Sequence, residues 1–155
     1  MPAAGEESHD NVRQPAKVVQ KNSKGVTMNE ATLLAAVEGY IRGWYEGDPA
    51  RTTRCLHPQL AKHLVKDDAT IEELDAATLI GYVHERVGTT PPTIQQQEIE
   101  ILGVYGNITS VRAEMNEWVY FLHLDYFNDE WKIVNAIWSR CAEQQERPAL
   151  DICRR

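Results

Sequence analysis

Nowhere in the 155 residues does an apolar run approach the ~20 positions that a membrane-spanning helix needs. The opening Met-Pro-Ala-Ala-Gly-Glu-Glu also lacks the apolar stretch behind a basic start that marks a secretory signal, so the cytosol is the expected compartment. Cysteine is scarce. Cys55, Cys141 and Cys153 show no Cys-x-x-Cys spacing, which argues against a disulfide framework and a zinc site; free thiols are expected, with neither metal nor cofactor. Basic residues are outnumbered, with 16 Lys and Arg against 23 Asp and Glu and a net charge of −7, and they do not cluster. Phosphate-backbone binding depends on such clusters, so no nucleic-acid partner is expected. What remains is an ordinary globular balance of 43% hydrophobic and 25% charged residues, in a length that suits one core.

Residues 1–27 are polar, contain no aromatic residue and mix charges of both signs, which leaves too little apolar surface to offset chain entropy. They read as a disordered tail, followed by one domain over 28–140 and a C-terminal extension over 141–155. Thr27-Met28-Asn29-Glu30 has the spacing of a capping box. Leu34, Val37, Ile41 and Trp44 then recur at helical spacing. Gly39 and Gly43 are costly inside a helix and mark a close approach of another backbone. Gly47 ends this helix, and Asp48-Pro49 opens a second that runs to about Leu56, since Asp caps well and Pro suits the first turn. His57-Pro58 interrupts the chain. A third helix is expected from about Asp75 to Gly88, with Leu79, Tyr82, Val83 and Val87 facing inward. From Ile94 the pattern changes to strands rich in β-branched and aromatic residues. Gly106-Asn107, Asn116-Glu117 and Asn128-Asp129 suit two-residue turns, which predicts a four-stranded meander over 94–105, 108–115, 118–127 and 130–140.

Counting through unbulged turns assigns the faces of that sheet. Leu102, Val104, Met115, Trp118, Tyr120, Leu122, Ile133, Asn135 and Ile137 fall on the face that the helices cover. Ile99, Ile101, Phe121, Val134 and Trp138 fall on the opposite face with Arg112, His123, Asp125 and Lys132. That second face is too apolar to stay exposed, which predicts a homodimer formed through it. Asp125 falls opposite Lys132 as a cross-strand pair.

Helix, short helix, Leu56-His57-Pro58, helix and a closing strand with Trp131-Lys132-Ile133-Val134-Asn135 resemble the nuclear transport factor 2-like superfamily, and within it the bacterial branch labelled "putative lumazine-binding". The resemblance spans about residues 28–140. It implies an α+β fold, a cone-shaped barrel of three N-terminal helices packed on a curved antiparallel sheet, with a cavity at the open end and dimerisation through the outer sheet face. Members include isomerases, dehydratases, cyclases and non-catalytic binding domains, so the fold by itself licenses no activity. Where relatives often place an inward acidic residue, this chain has Tyr120, which puts carboxylate-driven proton abstraction in doubt.

Tyr40, Trp44, His57, Tyr82, Met115, Trp118, Tyr120 and Asn135 are the candidates to line one cavity for a small hydrophobic or aromatic ligand. The alternative is that they fill the core, with Tyr and Trp finding local hydrogen bonds. An enzyme acting on a cyclic or polyketide-like substrate would use His57 as base and Tyr120 as hydrogen-bond donor. A third reading is a structural dimerisation module. His123 and Asp125 share a strand face, as metal ligands or a base with its orienting group would, but no third ligand appears at a recognisable spacing.

Overall fold

The computed structural model describes residues 30–141. The capping box at Thr27, the N-terminal tail and nearly all of the C-terminal extension therefore lie outside the described residues. Helix α1 (Glu30–Glu46) buries Leu33, Val37, Tyr40 and Ile41, one stripe of a 3.6-residue repeat. Helix α2 (Pro49–Cys55) is capped by Asp48, whose side chain accepts from Arg51 N at 3.0 Å. The two glycines of α1 mark the crossing. A Cβ at Gly43 would stand 2.3 Å from Thr52 Oγ1 and 3.1 Å from its backbone nitrogen, and one at Gly39 would stand 2.9 Å from Cys55 Sγ. Cys55 is a free, buried thiol. Cys141 is disulfide-bonded rather than free as expected, because sequence spacing carries no information about proximity across the fold.

The next segment departs from the expected order. Strand β1 (Leu56–Val65) and the short strand β2 (Ile71–Asp75) precede helix α3 (Ala76–His84), so the sheet has six strands instead of four. Extended geometry forced ahead of Pro58 starts a strand here as well as ending a helix. β1 pairs with β2 antiparallel and, on its other side, with the last strand in parallel. The parallel register is irregular between Leu56 and Ala61, the stretch that contains Pro58, which has no N–H to donate. Asp68 stabilises the β1–β2 turn by accepting from Thr70 N at 3.0 Å and Thr70 Oγ1 at 2.6 Å.

Strands β3 (Glu98–Tyr105), β4 (Ile108–Met115), β5 (Trp118–Phe127) and β6 (Glu130–Arg140) form the expected meander, joined by the three expected two-residue turns. Asn128 and Asp129 both have positive φ, at 48° and 63°, as a primed hairpin turn requires. Sheet order is β2-β1-β6-β5-β4-β3. The helices cover one face, and Leu33, Val37 and Ile41 of α1 meet Val111, Ala113, Leu122, Leu124 and Ile133 of the sheet in a single core. This is the α+β cone expected.

Two register shifts correct the face assignment. One lies in β6: Leu124 pairs with Ile133 but His123 with Asn135, so Val134 is the extra residue and the faces exchange beyond it. Ala136 and Trp138 therefore turn toward the helices, and Asn135 and Ile137 turn away. The other lies in β3, between Ile101 and Gly103. Ile99 and Ile101 pair with Ala113 and Val111 and pack on the core, while Leu102 is exposed. Asp125 does pair with Lys132 in register. The lysine, however, bonds to Glu130 at 2.8 Å and to the Arg54 carbonyl, and Asp125 Oδ1 is buried without a partner.

Candidate functional site

A cavity of about 610 Å³ opens between the helices and the inner face of the sheet. Its walls come from Trp44 and Tyr45 of α1, Lys62 and Leu64 of β1, Leu74 of β2, Leu79 and Tyr82 of α3, Met115 of β4, Trp118 and Tyr120 of β5, and Trp138 of β6. Val87, Gly88, Thr89 and Thr90 continue the wall after α3. Gly88 is required there: a Cβ would lie 2.0 Å from the Trp44 ring, so the indole lies flat against bare backbone.

The aromatic residues form a connected set. Tyr120 stacks on Trp138 with centroids 5.5 Å apart and an interplanar angle of 6°, and meets Tyr40 edge-on at 6.3 Å. Trp118 packs edge-on against Trp138 at 4.7 Å. Tyr45 donates to the Gln96 carbonyl at 2.6 Å, and burial pushes its hydroxyl up to about 12. Burial also raises Tyr40 and Tyr120 well above the ordinary phenol value, with Tyr40 and Tyr45 adding to the effect at Tyr120, so both remain neutral hydroxyls.

At the centre of these rings stands Lys62, only 3% exposed. Its Nζ donates to the Tyr40 hydroxyl at 3.0 Å and lies 4.3 Å from the centroid of Trp138, 5.1 Å from Tyr120, 5.7 Å from Tyr40 and 5.8 Å from Trp44. Two effects compete on this amine. Ring faces attract an ammonium by about 0.5–2 kcal/mol each. Removal from water disfavours it more strongly, and burial brings its pKa down from 10.5 to about 7. The two carboxylates on the cavity rim are engaged elsewhere: Glu72 pairs with Lys66 at 2.8 Å and Glu117 with Arg140 at 3.6 Å. A second donor on the wall, Trp138 Nε1, is buried and has no acceptor.

Of the residues expected to converge, Trp44, Tyr82, Met115, Trp118 and Tyr120 line the cavity, and Tyr40 lies behind it as the partner of Lys62. His57 and Asn135 do not reach it. His57 lines a separate recess beside Phe127, Ala76 and Ile80, where its Nδ1 accepts from Gln59 N at 3.1 Å and its ring meets Phe127 at 5.5 Å. Asn135, turned outward by the Val134 bulge, accepts from His123 Nδ1 at 3.0 Å and donates to the Ala61 carbonyl at 3.1 Å. Because its Nδ2 is committed to that carbonyl, its Oδ1 accepts and the hydrogen of His123 sits on Nδ1. His123, Asp125 and Asn135 border a hollow of about 780 Å³ on the outer face together with Tyr105 and Ile108. Among the described residues, no group of three or more His, Cys, Asp or Glu is placed to hold a metal ion.

Lys62 and Trp138 are the residues that sequence reasoning missed. Trp138 was hidden by the bulge. Lys62 was hidden by its segment, Gln59-Leu60-Ala61-Lys62-His63-Leu64, which carries no turn or cap signal. The alternation of Leu60, Lys62 and Leu64 on one face is the signal that a strand would have supplied.

No helix among the described residues is long and apolar enough to cross a membrane. No curated protein matches the sequence. Among solved structures, a nuclear transport factor 2-like protein of unknown function from Silicibacter pomeroyi is similar, with 18% identity over 70% of this chain and 92% of the other and a TM-score of 0.61. A second such protein, from Shewanella baltica, shares 15% identity over 73% and 94% with a TM-score of 0.62. A ketosteroid isomerase-like protein from Erwinia carotovora atroseptica shares 12% identity over 75% and 100% with a TM-score of 0.55. These likenesses show the fold. The family model described as "Putative lumazine-binding" matches residues 28–139, and the chain belongs to that family.

Proposed function

We propose that this chain is a small-molecule-binding domain that holds a flat, apolar or aromatic ligand between Trp44, Trp118, Tyr120 and Trp138, with no catalysis assigned to it. The observation that carries this reading is the cavity: about 610 Å³, walled by aromatic and aliphatic groups around few polar ones. That is the usual form and size of a small-molecule site. Membership of a family described as lumazine-binding supports it. His57 and Tyr120, the pair expected of an isomerase, dehydratase or cyclase, line different cavities, so that second reading turns on Lys62, whose pKa of about 7 suits proton transfer. A purely structural module would fill the space with its own side chains.

The test is thermal-shift screening of the wild type and Leu74→Trp against flat heterocycles, sterols and polyketides. Leu74 faces the cavity, so an indole there takes up ligand volume. A binder should raise the melting temperature of the wild type only. If no compound shifts the wild type, the reading is wrong.

The same proposal includes a homodimer formed through the outer sheet face. Phe121 and Ile137 are 39% and 43% exposed there, paired across β5 and β6, and Leu102, Tyr105 and Ile108 extend the apolar patch. A patch of this kind on a sheet is a surface that association covers.

A further inference from the structure

We infer that the cavity selects ligands by an acidic edge, a carboxylate or an ionised enol or imide, whose oxygen docks on Lys62 Nζ, and that binding draws a proton onto that amine. The inference rests on the binding reading above and specifies its ligand class.

The argument starts from an imbalance of donors and acceptors. Lys62 offers three hydrogens as an ammonium, and the hydrogen bond described for it goes to the Tyr40 hydroxyl. Trp138 Nε1–H has no acceptor at all. Both residues line the cavity, and the lysine stands 4.3 Å from the Trp138 ring centre, so the two side chains meet at one end of it. Burial alone accounts for the depressed pKa of Lys62, with no carboxylate countering it. The charged groups facing the cavity from other elements are Glu72 of β2 and Glu117 of the β4–β5 turn, each paired with its own cation. The other titratable groups around it are the phenols Tyr40 and Tyr45 of α1, Tyr82 of α3 and Tyr120 of β5. The site is thus rich in donors and poor in acceptors, and a buried donor without an acceptor is costly. A neutral apolar ligand would leave that cost in place. An anionic oxygen would accept from Lys62 Nζ and form a charge-assisted bond inside a medium of low dielectric. The four ring faces around Nζ stabilise the ammonium so formed. A flat ring system on the same ligand fills the slot beside Trp44, Trp118 and Tyr120.

The experiment compares 2-naphthoate with its near-isostere 2-naphthamide by titration calorimetry at pH 7.5, in buffers of different ionisation enthalpy. The wild type should bind the acid about tenfold or more tightly than the amide, as expected for a hydrogen bond to a charged group, and should take up a fraction of a proton with the acid only. Lys62→Met should lose both the preference and the proton uptake, so that acid and amide bind alike; an acid preference that survives the change overturns the inference. Equal binding of acid and amide by the wild type, without proton uptake, overturns the inference and leaves the cavity reading standing. Binding of neither compound, while the thermal screen yields neutral binders, also overturns it. Silence in both assays overturns the binding reading itself.

Discussion

The amine of Lys62 lies over the indole of Trp138, 4.3 Å from its ring centre, although the two residues are on different strands and separated by most of the described chain. The pairing of Lys62 with Ala136 and of Leu64 with Trp138, in the parallel register between the first and last strands, is what brings them together.

This burial has a cost that depends on pH. The unfolded chain keeps the Lys62 proton up to about pH 10.5, and the folded chain only up to about 7, so the unfolded state binds more protons between those values and stability rises with pH across that window. At about 1.36 kcal/mol per unit, the ceiling on the penalty below pH 7 is about 5 kcal/mol. Lys62→Met should therefore stabilise the fold most at pH 6 to 7 and progressively less toward pH 10, in urea titrations of both proteins at each pH. A gain that does not change with pH would show that the amine is not held neutral.

Gly88 leaves room for the Trp44 indole. Gly88→Ala should cost about 1–3 kcal/mol, the usual range for overpacking, and should push the ring into the cavity. Near-ultraviolet circular dichroism should change along with a loss of ligand affinity. Unchanged affinity would place Trp44 outside the ligand's contact surface.

Phe121→Glu and Ile137→Glu should each yield a monomer in sedimentation experiments if the outer face pairs two protomers. Trp138→Glu should behave differently despite the neighbouring position, because beyond the bulge its side chain points toward the helices; it should destabilise the fold by several kcal/mol, as burial of an unpaired charge does. A dimer that survives both outer-face changes would remove the proposed interface.

Asn135→Ala breaks the side-chain link from β6 to the Ala61 carbonyl of β1, a loss of about 1–2 kcal/mol. Its ligand affinity should match that of the wild type. A large drop in affinity at unchanged stability would return Asn135 to the binding site.

The meander and its three turns were legible because Gly, Asn and Asp at the turns are tied to positive φ, and β-branched runs separate them. Alternation also placed Tyr120, Trp118 and Met115 on the inner face, since no bulge intervenes in β4 or β5. It failed at Leu102 and Val134, where one extra residue exchanges the faces and nothing in the local sequence announces it. β2 was hidden by composition: Ile71-Glu72-Glu73-Leu74-Asp75 is mostly exposed at the sheet edge, and Glu and Asp are poor strand formers. The parallel partner of β1 lies some seventy residues away, a distance that local patterns do not span. Lys62 was missed for a chemical reason too, because a lysine in a polar stretch reads as solvated until its strand is known.

The parallel seam between β1 and β6 ties the ligand slot to the completion of the whole domain. The two strands lie some seventy residues apart in the chain, so the seam cannot close until the last strand is present. An emerging polypeptide that lacks its final eleven-residue strand has Lys62 but no Trp138 above it. A molecule seated between Lys62 and Trp138 would therefore stabilise only the form in which both strands are in place.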